Sequence, residues 1–218
     1  MVSARVLMPL SWMAVPAKAV VNRFPVLNAA IWDIQYRLGL WNELDLANGS
    51  QVVTLLEKYT VRPNILDLGC GKGVNLHLTA GEYSHYHGVD ISTASIKLAR
   101  KHARPEMSFE AADILRYETD ERYDAVLLRE VLYYLPDDRI PDFLHRVAGF
   151  LRPDGKVFVQ FWDKHACAEY IDLVLNAGLR LLEERVNVSA DGPESVVVVL
   201  QSAAKAAPGR GGDVSEPQ

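Results

Sequence analysis

The chain has 218 residues, 49% of them apolar, with a formal net charge of −5 and two cysteines. This length suits one α/β domain with a buried core. The acidic balance and the lack of a lysine- or arginine-rich run disfavour a nucleic-acid partner, which would bind a basic face. Cys70 and Cys167 are too few for a disulfide framework or a cysteine zinc site, so we expect no metal and a reducing, cytoplasmic setting.

The first 60 residues form a segment of their own, with three of the four tryptophans and helical character in pieces. Residues 1–19 loosely resemble a secretory signal peptide, but Pro9 and Pro16 interrupt the apolar run. The run is also too short to span a bilayer. We therefore predict a helical N-terminal cap over residues 1–60, or a loosely membrane-associating segment, without stable membrane insertion.

From Asn64 onward, strand-like and helix-like segments alternate. Five short apolar runs predict strands: Asn64–Leu68, Tyr86–Asp90, Met107–Ala111, Tyr123–Arg129 and Gly155–Phe161. Helices are predicted over Thr93–His102, with Ser92 as N-cap, and over Asp137–Leu151, where the apolar residues have helical spacing. Such alternation indicates a parallel sheet with helices on both faces.

The end of the chain follows a different pattern. Two strand candidates, Leu179–Val188 and Ser195–Gln201, are separated by residues 189–194, a connection too short for a crossover. These strands should therefore be antiparallel. The predicted fold is a doubly wound α/β domain over residues 61–202, with a seven-stranded, mostly parallel sheet that ends in an antiparallel hairpin. Residues 203–218 lack a periodic apolar pattern and predict a disordered tail.

A glycine-rich loop follows the first predicted strand, with glycines at positions 69, 71 and 73, and we expect a helix after it. Glycines there allow a tight turn and a close approach of the backbone to a ligand. A dinucleotide fingerprint would require glycine where Val74 stands, and no phosphate-binding Gly-Lys-Ser/Thr occurs. Asp67 beside the loop would repel a pyrophosphate and attract an ammonium group, which disfavours NAD and an NAD-dependent oxidoreductase.

Acidic residues also follow the second and third strands. Asp90 is placed to accept hydrogen bonds from ribose hydroxyls, and Asp113 to meet the exocyclic amine of an adenine. Each acid alone has a structural alternative, as a helix N-cap or a turn residue. Together with Asp67 they would gather at one edge of the sheet, where they suit a cationic nucleoside.

The series of motifs resembles the class I, Rossmann-like S-adenosylmethionine-dependent methyltransferases in order and spacing. The series consists of Ile-Leu-Asp-Leu-Gly-Cys-Gly-Lys-Gly (65–73), Gly-Val-Asp-Ile-Ser (88–92), Ala-Asp (112–113), Tyr-Asp-Ala-Val (123–126) and Leu-Arg-Pro-Asp-Gly-Lys (151–156). The likeness covers about Asn64–Trp162, and the closing hairpin extends it to about residue 201. Residues 123–135 are similar to a bacterial subgroup of small methyltransferases.

The resemblance implies S-adenosyl-L-methionine as cofactor and assigns residues to it. Asp67 and the backbone of Gly69, Cys70 and Gly71 would hold the methionine part, and Asp90 would bind the ribose. Ile91 would cover the adenine face, and Asp113 and Ile114 would hold the adenine edge. The backbone at Arg129 would face the cofactor. Many relatives carry a small polar residue at the position of Arg129, so the role of this long side chain stays open.

Residues 31–42 resemble the tryptophan-bearing N-terminal segment that covers the cofactor in several small-molecule methyltransferases. Tyr36 and Trp41 are the predicted contacts within this lid. The alternative is that these aromatic side chains belong to the core.

Candidates for the acceptor side follow the fourth and fifth strands. Glu130 or His165 is a candidate general base, and Tyr134 a candidate positioning donor. A base is required only if the acceptor keeps its proton at the working pH. The alternatives are that the residues around Tyr134 simply pack and that His165 lies on an exposed helix start.

The function predicted is methyl transfer to a small-molecule acceptor at an O, N or C atom, with specialised metabolism as one setting. A protein or RNA methyltransferase is disfavoured because the chain lacks a basic appendage, and Arg-Glu-Val-Leu replaces the Asn/Asp-Pro-Pro-Tyr-type tetrapeptide. A non-catalytic S-adenosylmethionine-binding module is a further alternative. The sequence does not indicate the oligomeric state.

Overall fold

A computed structural model describes residues 23–40, 50–73, 83–188 and 193–202. Its centre is one seven-stranded sheet with the strand order β3-β2-β1-β4-β5-β7-β6. The strands are β1 (Asn64–Leu68), β2 (His85–Asp90), β3 (Met107–Ala111), β4 (Tyr123–Arg129), β5 (Leu151–Phe161), β6 (Arg180–Asn187) and β7 (Ser195–Gln201).

Five helices accompany the sheet in the described part of the chain. They are α1 (Pro25–Arg37), α2 (Ser50–Tyr59), α3 (Thr93–Ala99), α4 (Ile140–Gly149) and α5 (Ala168–Leu175). Short 3₁₀ turns occupy Arg100–His102, Leu132–Tyr134 and Asp137–Arg139. None of the helices in these ranges is both long and apolar enough to cross a membrane.

The pairing of the strands confirms the predicted fold class. Strands β1 to β5 pair in parallel, whereas β7 pairs antiparallel with both β5 and β6. The physical reason is the length of the connections, since crossovers require a dozen or more residues and the β6–β7 link has too few. The first five strands therefore end at the same edge of the sheet, where the candidate site lies.

The sheet separates two apolar cores, as a doubly wound sheet requires. In β7, Val196, Val198 and Leu200 face one core while Val197 and Val199 face the other. All five side chains are fully buried. Alternate residues of one strand thus stabilise both layers, which explains a nearly continuous apolar strand near the end of the chain.

Some element bounds differ from the predicted ones. Strand β5 begins at Leu151 instead of Gly155, because Leu151 pairs with Tyr123 before a register shift. The predicted helix over 137–151 is divided into a 3₁₀ turn and α4, and Pro141 lies in the first turn of α4. The predicted helix over 93–102 likewise ends in a 3₁₀ turn.

Parts of several predictions lie outside the described residues. These are most of the N-terminal cap, the helix expected after the glycine loop, Trp41 of the lid and the tail over 203–218. The segment boundaries at residues 60 and 202 stay predictions.

Candidate functional site

The glycine loop leaves β1 in a conformation that only glycine adopts without strain. Gly69, Gly71 and Gly73 have φ values of +82°, +56° and +81°. The backbone amides of Gly69 and Cys70 both donate to the carbonyl of Val89, at 2.8 and 3.1 Å. The loop is therefore held against the end of β2, and the tight turn expected from the sequence is present.

The side chain of Tyr36 lies directly over this loop. A Cβ atom added to Gly71 would lie 2.6 Å from the Tyr36 hydroxyl oxygen. Tyr36 is carried by α1, so this helix lies over the loop. That the segment covers a bound cofactor stays a prediction. Two features therefore disfavour a side chain at position 71: the positive φ of the backbone and the contact with Tyr36.

Asp90 ends β2 and organises the turn around it. Its carboxylate accepts hydrogen bonds from the amide of Gly71 (2.9 Å), the amide of Ser92 (2.8 Å) and the hydroxyl of Ser95 (3.0 Å). Burial raises the pKa of Asp90, although these three hydrogen bonds oppose the rise. The residue thus has the structural role that the sequence offered as an alternative, and a ribose contact would add to that role.

Asp67 is fully buried within β1 and accepts a hydrogen bond from the hydroxyl of Tyr86. Burial and the Asp67 carboxylate raise the pKa of Tyr86 well above its usual value, so the phenol stays neutral and donates. The sequence analysis missed Tyr86, which looked like one more apolar residue of a strand. Burial, followed by the charges of Asp90 and Asp67, also raises the pKa of Cys70, so the loop experiences a negative field.

The edge next to Asp90 is formed by the end of β3. The amide of Ala112 donates to the carbonyl of Asp90 at 2.9 Å. Asp113 is the residue after Ala112, so it lies next to the end of β2. One Asp113 oxygen accepts from the amide of Leu115 at 3.0 Å, and the side chain is half-buried. The predicted neighbourhood of Asp90 and Asp113 is therefore present, at adjacent strand ends.

Ile91 and Ile114 have different surroundings. Ile91 is partly exposed beyond the end of β2, where an apolar face is accessible. Ile114 is buried in the core, and its carbonyl accepts from the Arg146 guanidinium at 2.8 Å. Any contact of Ile114 with an adenine would come from its backbone, and the predicted adenine contacts of both residues stay predictions.

Asp33 attaches α1 to the cofactor side, and the sequence analysis missed it. Its carboxylate accepts from the hydroxyls of Ser92 (2.6 Å) and Thr93 (2.8 Å) and from the amide of Ala94 (3.0 Å). Burial raises the pKa of Asp33, but these hydrogen bonds and the charge of Arg37, 3.8 Å away, together outweigh burial, and the net pKa is lowered. The signal available in the sequence was an acid on a helix whose other inward residues are apolar.

On the acceptor side, Glu130 follows β4 and lies among aromatic side chains. One Glu130 oxygen accepts from the amide of Trp162 at 2.9 Å and from the hydroxyl of Tyr133 at 3.2 Å. The ring of Tyr134 lies 4.5 Å from that of Tyr133 and meets Trp32 of α1 edge-on at 4.8 Å. We call these residues, Trp32, Glu130, Tyr133 and Tyr134, the acceptor-side cluster.

Glu130 has two unusual properties for a carboxylic acid. Burial raises its pKa to about 7, against the opposing effects of Arg129, Tyr133 and the Trp162 amide. Its backbone has φ of +54°, a left-handed conformation that costs a side-chain-bearing residue on the order of 1 kcal/mol or more. A strained residue with a pKa near neutrality is suited to proton transfer at physiological pH.

The remaining predicted residues, His165, Arg129 and Trp41, stand differently toward this cluster. The side chain of His165 is 82% exposed, and its Nε2 lies 3.7 Å from a Glu194 oxygen. This geometry favours the alternative of an exposed helix start. Arg129 is half-buried at the end of β4, paired in register with Gln160, and acts on Glu130 through its charge. Trp41 lies outside the described residues.

Taken together, the described residues fit a cationic nucleoside cofactor better than an anionic one. Asp33, Asp67 and Asp90 surround the loop and the start of α3, with Asp113 beside them. The glycines let other groups approach the loop backbone closely, since a Cβ on Gly69 would meet Val131 and a Cβ on Gly71 would meet Tyr36, each at 2.6 Å. A pyrophosphate would meet these carboxylates with repulsion.

Comparison with known proteins agrees with this geometry. Residues 65–155 match the model of a family described as "Methyltransferase domain". A curated relative, the ubiquinone biosynthesis O-methyltransferase of Aeromonas salmonicida (strain A449), is 26% identical over 72% of this chain and 66% of its own length. A second relative of the same description, from Coxiella burnetii (strain Dugway 5J108-111), is 30% identical but is matched over only 50% of its length. The chain therefore spans between half and two thirds of these relatives.

Solved structures share the fold at low sequence identity. The N-methyltransferase NodS of Bradyrhizobium japonicum WM9, in complex with S-adenosyl-L-homocysteine, superposes with a TM-score of 0.60 at 22% identity, over 71% of this chain and 85% of that one. A structure described as the DhpI–SAH complex gives a TM-score of 0.65 at 18% identity, over 81% and 96%. Likeness at this level concerns the fold alone, and the fold is the one predicted.

The family match covers the glycine loop, Asp90, Asp113 and Glu130, and the fold extends the likeness to the C-terminal hairpin. Residues 65–155 are thus similar to a methyltransferase domain, and the fold around them is the Rossmann-like fold predicted from the sequence.

Proposed function

We propose that this protein transfers the methyl group of S-adenosylmethionine to a hydroxyl group of a small molecule that carries an aromatic ring. The observation that carries the proposal is Glu130, a partly buried carboxyl with a pKa of about 7 among Trp32, Tyr133 and Tyr134. A hydroxyl acceptor keeps its proton at neutral pH and therefore requires a base, whereas aromatic side chains suit an aromatic acceptor.

The cofactor side of the proposal rests on the acidic residues and the loop. The backbone of Gly69, Cys70 and Gly71 would face the methionine part, and Asp90 and Asp113 would hold the ribose and the adenine. Asp67, fixed by Tyr86, supplies negative charge behind the loop. Tyr36 would exclude water from above. Bound there, S-adenosylmethionine supplies an electrophilic methyl group on a sulfonium, so the protein has only to orient the two reactants and manage one proton.

The proton is assigned to Glu130. As the acceptor oxygen bonds to the methyl carbon, the carbon–sulfur bond breaks and its electron pair stays on the sulfur. The acceptor's proton passes to the Glu130 carboxylate, and Tyr133, which donates to the same oxygen, orients it. Tyr134 is proposed as the positioning donor, with Trp32 against its ring. His165 is the weaker candidate base because its side chain is exposed.

The substrate class is supported by the relatives' printed function, O-methylation in ubiquinone biosynthesis. We propose a cytoplasmic location, supported by two cysteines that are free and buried. We propose no nucleic-acid partner, supported by the net charge of −5. Within this chain, the choice of a hydroxyl over a nitrogen acceptor rests on Glu130.

The test is ligand binding followed by turnover. Isothermal calorimetry of the purified chain is expected to detect S-adenosylmethionine and its demethylated product but not NADH. A panel of phenolic and amine acceptors, followed by release of S-adenosylhomocysteine, is expected to give turnover with phenolic members. NADH binding without S-adenosylmethionine binding would overturn the proposal. Cofactor binding with no turnover on any acceptor would favour a non-catalytic binding module.

A further inference from the structure

The outer face of α1 carries an apolar stripe that the described part of the chain does not cover. Five side chains from the cap residues and the helix are large, apolar and exposed, and four of them share one face: Phe24 (55%), Leu27 (49%), Ile34 (57%) and Leu38 (68%). The fifth, Val26 (85%), points about 100° away from Leu27. Ile31, partly exposed, lies between the four that share a face. The spacings of three, four, three and four residues put Ile31 and these four within an arc of about 80° on a helix of 3.6 residues per turn. We call this set the outer stripe.

The opposite face of the same helix is already occupied. Trp32, Asp33 and Tyr36 point to the protein, where they contact Tyr134, the start of α3 and the glycine loop. The outer stripe is therefore not needed to attach α1. A helix that is apolar on both sides, with only one side used, has a second surface to cover.

Charge around the outer stripe points to the nature of its partner. Arg37 borders it on one side, where its side chain is 72% exposed and lies 3.8 Å from a carboxylate oxygen of Asp33. Asn28 and Gln35 lie on the other side, and Arg23 is exposed just before the helix. The only acid of the helix, Asp33, is turned inward and bound to Ser92, Thr93 and Ala94. Residues 1–40 contain four basic residues and one acidic residue, although the whole chain has a net charge of −5. The basic charge is thus concentrated on the segment that carries the stripe.

We propose that the outer stripe of α1 docks the protein on the surface of a bilayer that contains anionic phospholipid. A helix that lies in a membrane interface presents apolar side chains to the acyl boundary and basic side chains to the headgroups, as this face does. Docking is peripheral, since α1 has 13 residues and is too short to span a bilayer. The inner face of the docked helix continues to cover the glycine loop and the acceptor-side cluster.

The experiment measures co-sedimentation of the full chain with sucrose-loaded vesicles, of phosphatidylcholine alone or with about one third phosphatidylglycerol. The wild-type chain is expected to bind the anionic vesicles, and added salt is expected to weaken binding. The double variant Leu27→Glu with Ile34→Glu is expected to lose at least about tenfold in partitioning, because two inserted side chains become charged.

The matched control is Val61→Glu with Val188→Glu, which charges two exposed apolar residues elsewhere, 92% and 72% exposed. It is expected to bind vesicles like the wild type. Both double variants should bind S-adenosylhomocysteine normally, which shows that α1 is still folded over the site. This readout also separates docking from the proposed function, since vesicle binding requires no turnover.

The proposal fails if the wild-type chain does not bind anionic vesicles, or if Leu27→Glu with Ile34→Glu binds them equally well. Sedimentation velocity without lipid tests a second occupant. If the wild type is a dimer, the variant is a monomer and neither binds vesicles, the stripe is an interface between two copies of the chain and the proposal fails. Vesicle binding that emerges only after removal of residues 1–22 would assign the stripe to the chain's own N-terminal segment.

Discussion

The two halves of the candidate site differ in how their polar groups are used. On the cofactor side, the carboxylates of Asp33 and Asp90 each accept three hydrogen bonds from the protein itself. On the acceptor side, Glu130 accepts from one amide and one phenol, has a raised pKa and sits on a strained backbone. The first half is a rigid frame, and the second is arranged to change its protonation state.

Burial raises the pKa of both Asp90 and Glu130, but Glu130 alone of the two combines a pKa of about 7 with a left-handed backbone. This combination distinguishes the proposed reacting side more sharply than acidity alone. A saturated carboxylate such as Asp90 stabilises a turn whether or not a ligand is present. A carboxyl with a pKa raised by burial and a strained backbone lowers the stability of the folded protein at neutral pH. Residues that carry such a cost are typical of functional sites.

The largest expected effect tests the reacting half. Glu130→Gln removes the base and leaves the shape, so kcat is expected to fall by about 10² to 10⁴ while S-adenosylhomocysteine affinity is retained. The wild-type kcat should rise as pH rises through about 7, where Glu130 loses its proton, and this limb should vanish in the variant. Unchanged kcat across this pH range would remove Glu130 from the reaction.

Glu130→Gln is expected to lower kcat but to raise the free energy of unfolding at alkaline pH. The pKa of Glu130 is raised from 4.5 in the unfolded chain to about 7 in the folded one, so the folded state binds the proton more tightly. The wild type therefore loses stability as pH rises between these values. Glu130→Gln avoids the loss and is expected to be more stable by about 1 to 3 kcal/mol at pH 8, an advantage that disappears below pH 4.5. Urea unfolding at both pH values measures this difference.

The next effect tests the frame. Asp90→Ala removes three hydrogen bonds from the loop and the start of α3, so S-adenosylhomocysteine affinity is expected to fall by about 100-fold and stability by about 2 to 4 kcal/mol. Asp90→Asn keeps the shape and should lose less stability. Calorimetry and chemical unfolding provide the two readouts. A cofactor affinity that survives Asp90→Ala would contradict the assignment of this edge to the cofactor.

A smaller effect tests the attachment of α1. Asp33→Ala frees two hydroxyls and one amide, and we expect a loss of about 1 to 2 kcal/mol, within the range of helix N-cap removal. The KM for S-adenosylmethionine should rise more than kcat falls, because the helix lies over the loop. Asp33→Asn is the matched control and should retain most of the affinity. Equal kinetics in Asp33→Ala and wild type would indicate that the lid is held by other contacts.

The smallest effect is a coupling between the lid and the loop. Gly71→Ala introduces a Cβ 2.6 Å from the Tyr36 hydroxyl and strains the backbone at φ of +56°. Tyr36→Phe removes the hydroxyl and should recover part of the lost stability, with a coupling energy of about 0.5 to 2 kcal/mol. The backbone strain is not recovered. A double variant whose stability is simply additive would contradict the contact of Tyr36 with the loop.

Local sequence patterns were sufficient for most of the fold. The strand ranges Asn64–Leu68, Met107–Ala111 and Tyr123–Arg129 agree with the structure, since short apolar runs between glycines and polar turns admit few other conformations. The short β6–β7 connection dictated an antiparallel pair. The start of β5 at Leu151 could not be predicted from the local sequence, because it depends on pairing with Tyr123 across a register shift.

The glycine loop and the order of the acids were thus determined by the sequence itself, because a positive φ and a strand end are local properties of the chain. Only the tertiary structure decided what those groups contact. It turned Asp90 to the loop, brought Tyr86 to Asp67 and carried Asp33 and Tyr36 across to residues 92–94 and Gly71. It also raised the pKa of Glu130 through burial. Such effects depend on side chains far apart in the chain, and no local pattern encodes their distances.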